Sequence, residues 1–343
     1  MGLRDLFHRS KDVTPEYIGY SNNTRVGIRA NNFVISLSEC ANGLAQKIAK
    51  SDTAFLFIPF SSELESSLLA IVSHPNTASA FLLSYGCEAK SSRDHAVELR
   101  NVNPNIEFLE FENGALEAFA LDMGPAVLQE LKFQSSPGLE AIPNPVIALV
   151  ASSRDQRVNG VLEALNQAHL SVEAILDPPD FTKALLDAAR QGALAIINFT
   201  QEDQYPLSTY IAPTINIASK STFHQQIAAD FDLGFSATPN EILDRVNATI
   251  ERSPTASEIA KIFQSFGAQS DTNSSIKVIN PILSNFADDI TPRISLAGTK
   301  IAIATGNEVA DIDAHRRDGY EVFTIAESGS LFQLAQNLTK KFQ

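Results

Sequence analysis

Two cysteines, two arginines and two glutamates are the residues of this chain whose types and spacing could do chemistry. Cys40 lies in Ser38–Gly43 (SECANG) and Cys87 in Tyr85–Ser91 (YGCEAKS), each just past an apolar run. A cysteine at the start of a helix sits near the positive end of the helix dipole, which favours thiolate and makes a better metal ligand or nucleophile. Glu88 follows Cys87, and Glu112 opens Glu112–Gly114 (ENG) after another apolar run. Carboxylates in such loops can move protons or hold a cation. Arg25 and Arg29 flank Val26, Gly27 and Ile28, a fork suited to a carboxylate or phosphate through paired hydrogen bonds. Each group also has a plainer reading. Cys40 and Cys87 fit as small packing residues, Glu112 and Asn113 as helix caps, and Arg25 and Arg29 as a solvated lead-in.

These loops need a scaffold, and the pattern of the chain supplies one. Apolar runs at 31–37, 53–58, 79–84 and 106–111 alternate with helical stretches at 63–73, 93–100 and 114–132. Strands separated by helices of this length pair in parallel with right-handed crossovers. In such a sheet ligands bind beyond the carboxyl ends of the strands, where the Cys40, Cys87 and Glu112 loops all open. Residues 134–145 (QSSPGLEAIPNP) hold three prolines and predict a linker at 136–145. Alternation then resumes with strands at 146–151, 171–176, 193–199 and 213–218 and helices at 155–169, 180–191 and 239–252. Polar residues 267–275 mark a second joint. Strands at 299–304 and 320–325 and a helix at 329–341 close the chain, a piece too small to be an assured independent domain. The expected architecture is α/β: a lead-in at 1–18, two Rossmann-like parallel-sheet domains at 19–135 and 146–266, and a small C-terminal α/β segment at 267–343.

Composition narrows the function. The 343 residues are 44% hydrophobic and 19% charged, which excludes disorder, collagen and coiled coil. A net charge of −14 opposes binding to nucleic acid, whose affinity comes from Lys and Arg. No run approaches the roughly 20 apolar residues that span a bilayer, and residues 1–10 lack a secretory core, so the expectation is a cytoplasmic protein without membrane contact. The six histidines have no partner at zinc-site spacing, His74 before Pro75 reads as a helix-end cap, and no G-x-G-x-x-G, Walker or G-x-S-x-G motif occurs.

Three segments in order resemble the altronate and galactarate dehydratase family. Tyr20–Ala49 (YSNNTRVGIRANNFVISLSECANGLAQKIA) is similar to its Gly-Tyr, G-R-V-G-x-R-N, strand and Cys-helix opening. His74–Glu88 (HPNTASAFLLSYGCE) resembles its H-P-N … L-G-C-E run, and Ile197–Ile217 resembles its F-T-T-G-R-G … A-P-x-I-K-I segment. The resemblance implies a hydro-lyase that removes water from an aldonate or aldarate with a divalent metal, commonly iron. It maps onto Arg25, Gly27 and Arg29, onto Cys40 and Asn42, and onto Gly86, Cys87 and Glu88, with Cys40 and Cys87 as metal ligands, Glu88 as a catalytic group, and Arg25, Arg29, Asn42 and Gly86 as substrate contacts; Glu112, outside the matched motifs, is the second catalytic candidate, read from its own loop as a base. The chain departs from the family at several loops. The family's H-x-x-G-C-G is replaced by Phe57–Glu63 (FIPFSSE), its Cys-Gly-Gly-Ser-Asp by Ala151–Arg157 (ASSRDQR), T-T-G-R-G by Thr200–Gln204 (TQEDQ), and its late lysine by Asn216. The resemblance therefore also accommodates a paralogue without catalysis, acting as a partner subunit, in a homo-oligomer or alone as a small-acid-binding protein.

Overall fold

The computed structural model describes residues 17–22, 25–61, 63–85, 92–110, 117–202, 204–264, 300–304 and 320–324. The chain enters through a short antiparallel hairpin, β1 (Ile18–Asn22) and β2 (Arg25–Gly27). It continues as β3 (Asn31–Ser36), α1 (Asn42–Ala49), β4 (Phe55–Ile58), α2 (Leu64–Ser73), β5 (Thr77–Ser84), α3 (Ser92–Val102), β6 (Ile106–Glu110) and α4 (Glu117–Gln134). These four strands form a parallel sheet ordered β4-β3-β5-β6. β3 and β5 are buried along most of their length, as strands covered on both faces must be.

The stretch expected to be a linker is in part a strand. β7 (Gly138–Ala141) lies between Pro137 and Pro143 and pairs antiparallel with β1, giving a small sheet ordered β2-β1-β7. Proline excludes a central strand but leaves room for four residues at an edge.

The second half repeats the plan with β8 (Val146–Ala151), α5 (Arg157–Gln167), β9 (Ser171–Leu176), α6 (Phe181–Arg190), β10 (Ala195–Phe199) and β11 (Thr214–Ile217). Three helices follow: α7 (Thr222–Gln226), α8 (Pro239–Ile250) and α9 (Ala256–Ala260), the last two opened by Thr-Glu capping boxes. The sheet is parallel and ordered β11-β10-β8-β9. Numbered from the first strand of each half, both sheets run 2-1-3-4. Farther on, β12 (Lys300–Ala304) and β13 (Tyr320–Thr324) form a parallel pair. The expected closing helix at 329–341 lies outside the described residues. Among those residues, no helix is long and apolar enough to cross a membrane.

The two halves are not separate bodies. One buried cluster joins Phe33, Ile35 and Leu82 of the first sheet, through α2 and α6, to Ala148, Val150 and Ile196 of the second. The outer face of the first sheet is closed by α1 and α4, and that of the second by α5 and α8. The layers thus run helix, sheet, helix, sheet, helix, with the middle helical layer shared.

Candidate functional site

Each parallel sheet has an amino edge and a carboxyl edge, and the residues singled out by sequence divide between the two. At the carboxyl edge of the first sheet, the chain leaves β3 toward β4 on one side and returns to β5 on the other. That reversal is a topological switch point, where an α/β sheet opens a crevice. Cys40 lies there, exposed, in a 3-10 turn (Glu39–Ala41) that runs directly into α1. Asn42 accepts a 2.8 Å hydrogen bond at Oδ1 from the Phe60 amide, tying the loop after β3 to the loop after β4. Asn42 therefore shapes the crevice. Two buried hydroxyls in the same loops, those of Ser38 and Ser61, have no hydrogen-bond partner among the described residues. Ser38 precedes the 3-10 turn but does not cap it. Tyr85, just past β5, has its phenol pKa raised by burial first and then by the negative charges of Glu117 and Cys40. Lys47 and Glu117 face each other at 3.4 Å nearby.

The amino edge is a joint. Asn76, fully buried, uses its whole side chain there: Oδ1 accepts from the Ile28 and Arg29 amides at 2.8 and 3.2 Å, and Nδ2 donates to the Leu194 and Ile211 carbonyls at 3.0 Å each. Those carbonyls belong to the amino edge of the second sheet. His74 sits at the end of α2 as expected, and its ring does more than cap. Nδ1 accepts from the Asn76 amide at 3.1 Å, which leaves the proton on Nε2 to be donated to the Ala193 carbonyl at 3.2 Å. Burial is the chief reason its pKa falls to about 4. Gly27 passes so close to this turn that a Cβ would lie 2.2 Å from the Pro75 carbonyl oxygen.

Arg29 belongs to the same joint. Nε and Nη2 form a bidentate pair with Glu258 at 2.8 and 2.9 Å, Nη1 donates to the carbonyls of Ile28 and Thr249, and Nη2 donates to that of Ser253. All five guanidinium N–H groups are occupied, so none is left for a substrate carboxylate. Arg25 is exposed on β2 at the same end. A six-residue strand, roughly 20 Å of backbone, separates this end from Cys40 and Asn42. Arg25 and Arg29 therefore stand apart from Cys40 and Asn42. The arginines precede β3, Cys40 follows it, and a parallel strand carries its two flanks to opposite edges.

Gly86, Cys87, Glu88 and Glu112 lie outside the described residues. Among the described residues no three His, Cys, Asp or Glu side chains stand close enough to hold a metal ion, and Cys40 is the one described member of the implied ligand pair.

The loops at 151–157 and 200–204 carry structural bonds. Asp177 accepts from the Ser152 hydroxyl and the Ser153 amide at 3.0 Å each. Arg157 pairs with Asp155 and lies over the rings of Phe199 and Phe235. Thr200 donates its hydroxyl to the Ile217 carbonyl, and His224 donates from Nε2 to the Gln204 carbonyl. Asn216 is fully buried in β11. It accepts from Asn198 and donates to the Leu207 carbonyl and the Ser257 hydroxyl. Sequence reasoning missed Asn76, although its signal, the asparagine of His-Pro-Asn, was in view. Comparison of the chain with known protein families, curated proteins and solved structures finds no match to any of them.

Proposed function

We propose that the protein is a small-acid-binding relative of the sugar-acid dehydratases, with its ligand held at the carboxyl edge of the first sheet. The observation that carries this reading is the pair of buried hydroxyls, Ser38 and Ser61, that lack a partner among the described residues, in the loops after β3 and β4 at the carboxyl edge beside Cys40 and Asn42. A hydroxyl buried without a partner costs free energy, and a ligand carboxylate or hydroxyl would offset it. The replaced loops favour binding over turnover.

Thermal melts of the full chain against a panel of aldonates and aldarates test this. A ligand at about one hundred times its dissociation constant adds about 2.7 kcal/mol and moves the midpoint by several degrees. A panel without any stabiliser would sink the reading.

A second reading, metal-assisted hydro-lyase, is favoured by the exposure of Cys40 at that edge. Proton abstraction next to a carboxylate needs a base, for which Glu112 is the candidate, and a stabiliser for the enediolate. Iron content per chain and turnover of the same panel by ferrous-loaded protein decide between the two. Turnover establishes the lyase, stabilisation without turnover the binding protein, and the absence of both overturns both readings.

A further inference from the structure

The second sheet carries a serine and a histidine in contact at its own carboxyl edge. Ser219 lies just past β11 and is half-buried, beside the exposed Lys220, while His224 sits fully buried in α7. The Ser221 hydroxyl caps α7 by accepting from the His224 amide at 3.1 Å, which sets the histidine back toward Ser219. The imidazole packs against Phe231 and Phe223, with ring centroids 4.5 and 5.7 Å away.

Hydrogen bonds fix the tautomer of that ring. Nδ1 accepts from the Ser219 amide at 2.8 Å, so it carries no proton, and Nε2 donates to the Gln204 carbonyl at 2.8 Å. The Ser219 hydroxyl lies 2.9 Å from the same Nδ1 and accepts from the Ser221 amide at 3.3 Å, so its own proton is the one given to the ring. A serine hydroxyl on an unprotonated imidazole nitrogen, with the opposite nitrogen held by an acceptor, is the arrangement that activates a serine nucleophile. His74 makes the same two backbone bonds, with no hydroxyl on its ring among the described residues. Gln204 adds a donor: its Oε1 accepts from the Gln201 amide at 3.1 Å, while its buried Nε2 has no partner among the described residues. Acyl transfer calls for a donor of this kind, to carry the charge that develops on the carbonyl oxygen.

We propose that Ser219 and His224 are the nucleophile and general base of an esterase site at the carboxyl edge of the second sheet. Ser219 Oγ bonds to the carbonyl carbon of a small ester as its proton passes to His224 Nδ1. The bond from that carbon to the alkoxy oxygen breaks, and the leaving oxygen takes the proton and departs as the alcohol. Water then attacks the acyl-serine, giving its proton to Nδ1, which returns it to Ser219 Oγ as the acid leaves. The proposal does not depend on any ligand at the first sheet.

Treatment of the full chain with an alkyl fluorophosphonate, followed by peptide mass mapping, tests it. Ser219 Oγ displaces fluoride and carries the adduct, and the chain hydrolyses p-nitrophenyl acetate. Both activities are lost in Ser219→Ala, which keeps the amide bond to His224, and in the wild type unfolded by urea. His224→Gln slows labelling at least about 100-fold. Should His224→Gln not fold, the Ser219→Ala and urea arms still decide. A wild type without an adduct at Ser219, ester hydrolysis at the wild-type rate in Ser219→Ala, or a folded His224→Gln that labels as fast as the wild type overturns the proposal.

Discussion

At the scale of single residues, Asn76 and His74 tie the amino edges of the two sheets together. Asn76→Ala would leave the Ile28 and Arg29 amides and the Leu194 and Ile211 carbonyls without partners inside the joint. A loss of about 3–4 kcal/mol is expected, read as a lower urea midpoint at unchanged slope. His74 gives the joint a pH dependence. Its pKa in the fold, about 4, lies below the ordinary 6.5, so between those values the unfolded chain binds the proton that the folded chain refuses. Stability therefore holds above pH 6.5 and declines as pH falls toward 4, by roughly 3 kcal/mol in all from this group. Urea titrations at several pH values should show the decline, and His74→Gln should flatten it. A histidine before Pro75 is visible in the sequence as a helix end. Its burial is not, because the atoms that bury it lie more than a hundred residues away.

Between elements, the close approaches decide. β2 crosses the turn between α2 and β5 at Gly27, where no side chain fits. Gly27→Ala must push backbone apart rather than rotate a side chain, and about 2–4 kcal/mol of destabilisation follows, measurable by denaturant melts. The strands of both parallel sheets were legible as apolar runs, because most of them are buried along much of their length. β1, β2 and β7 were not. They are short, β7 is exposed along its length, and its partner β1 lies over a hundred residues earlier in the chain. Local pattern carries no trace of such pairing.

For the whole molecule, the shared helical layer and the joint make the two halves one cooperative unit. A single thermal transition is expected, with calorimetric and van't Hoff enthalpies equal; two resolved peaks would show that the halves fold independently. Read alone, the chain determined that two parallel α/β sheets would form and which loops would follow their strands, because periodicity and chain direction are local properties. It also placed Cys40 and Asn42 just past the first core strand. Only the tertiary structure decided that Arg29 closes on Glu258, that His-Pro-Asn joins the amino edges of two sheets, and that the arginines stand a strand's length from Cys40. The physical reason is that a hydrogen bond's partner is chosen by where the backbone brings distant segments together, and nothing in Arg29 or Asn76 as residue types distinguishes a substrate from a carbonyl of the other half.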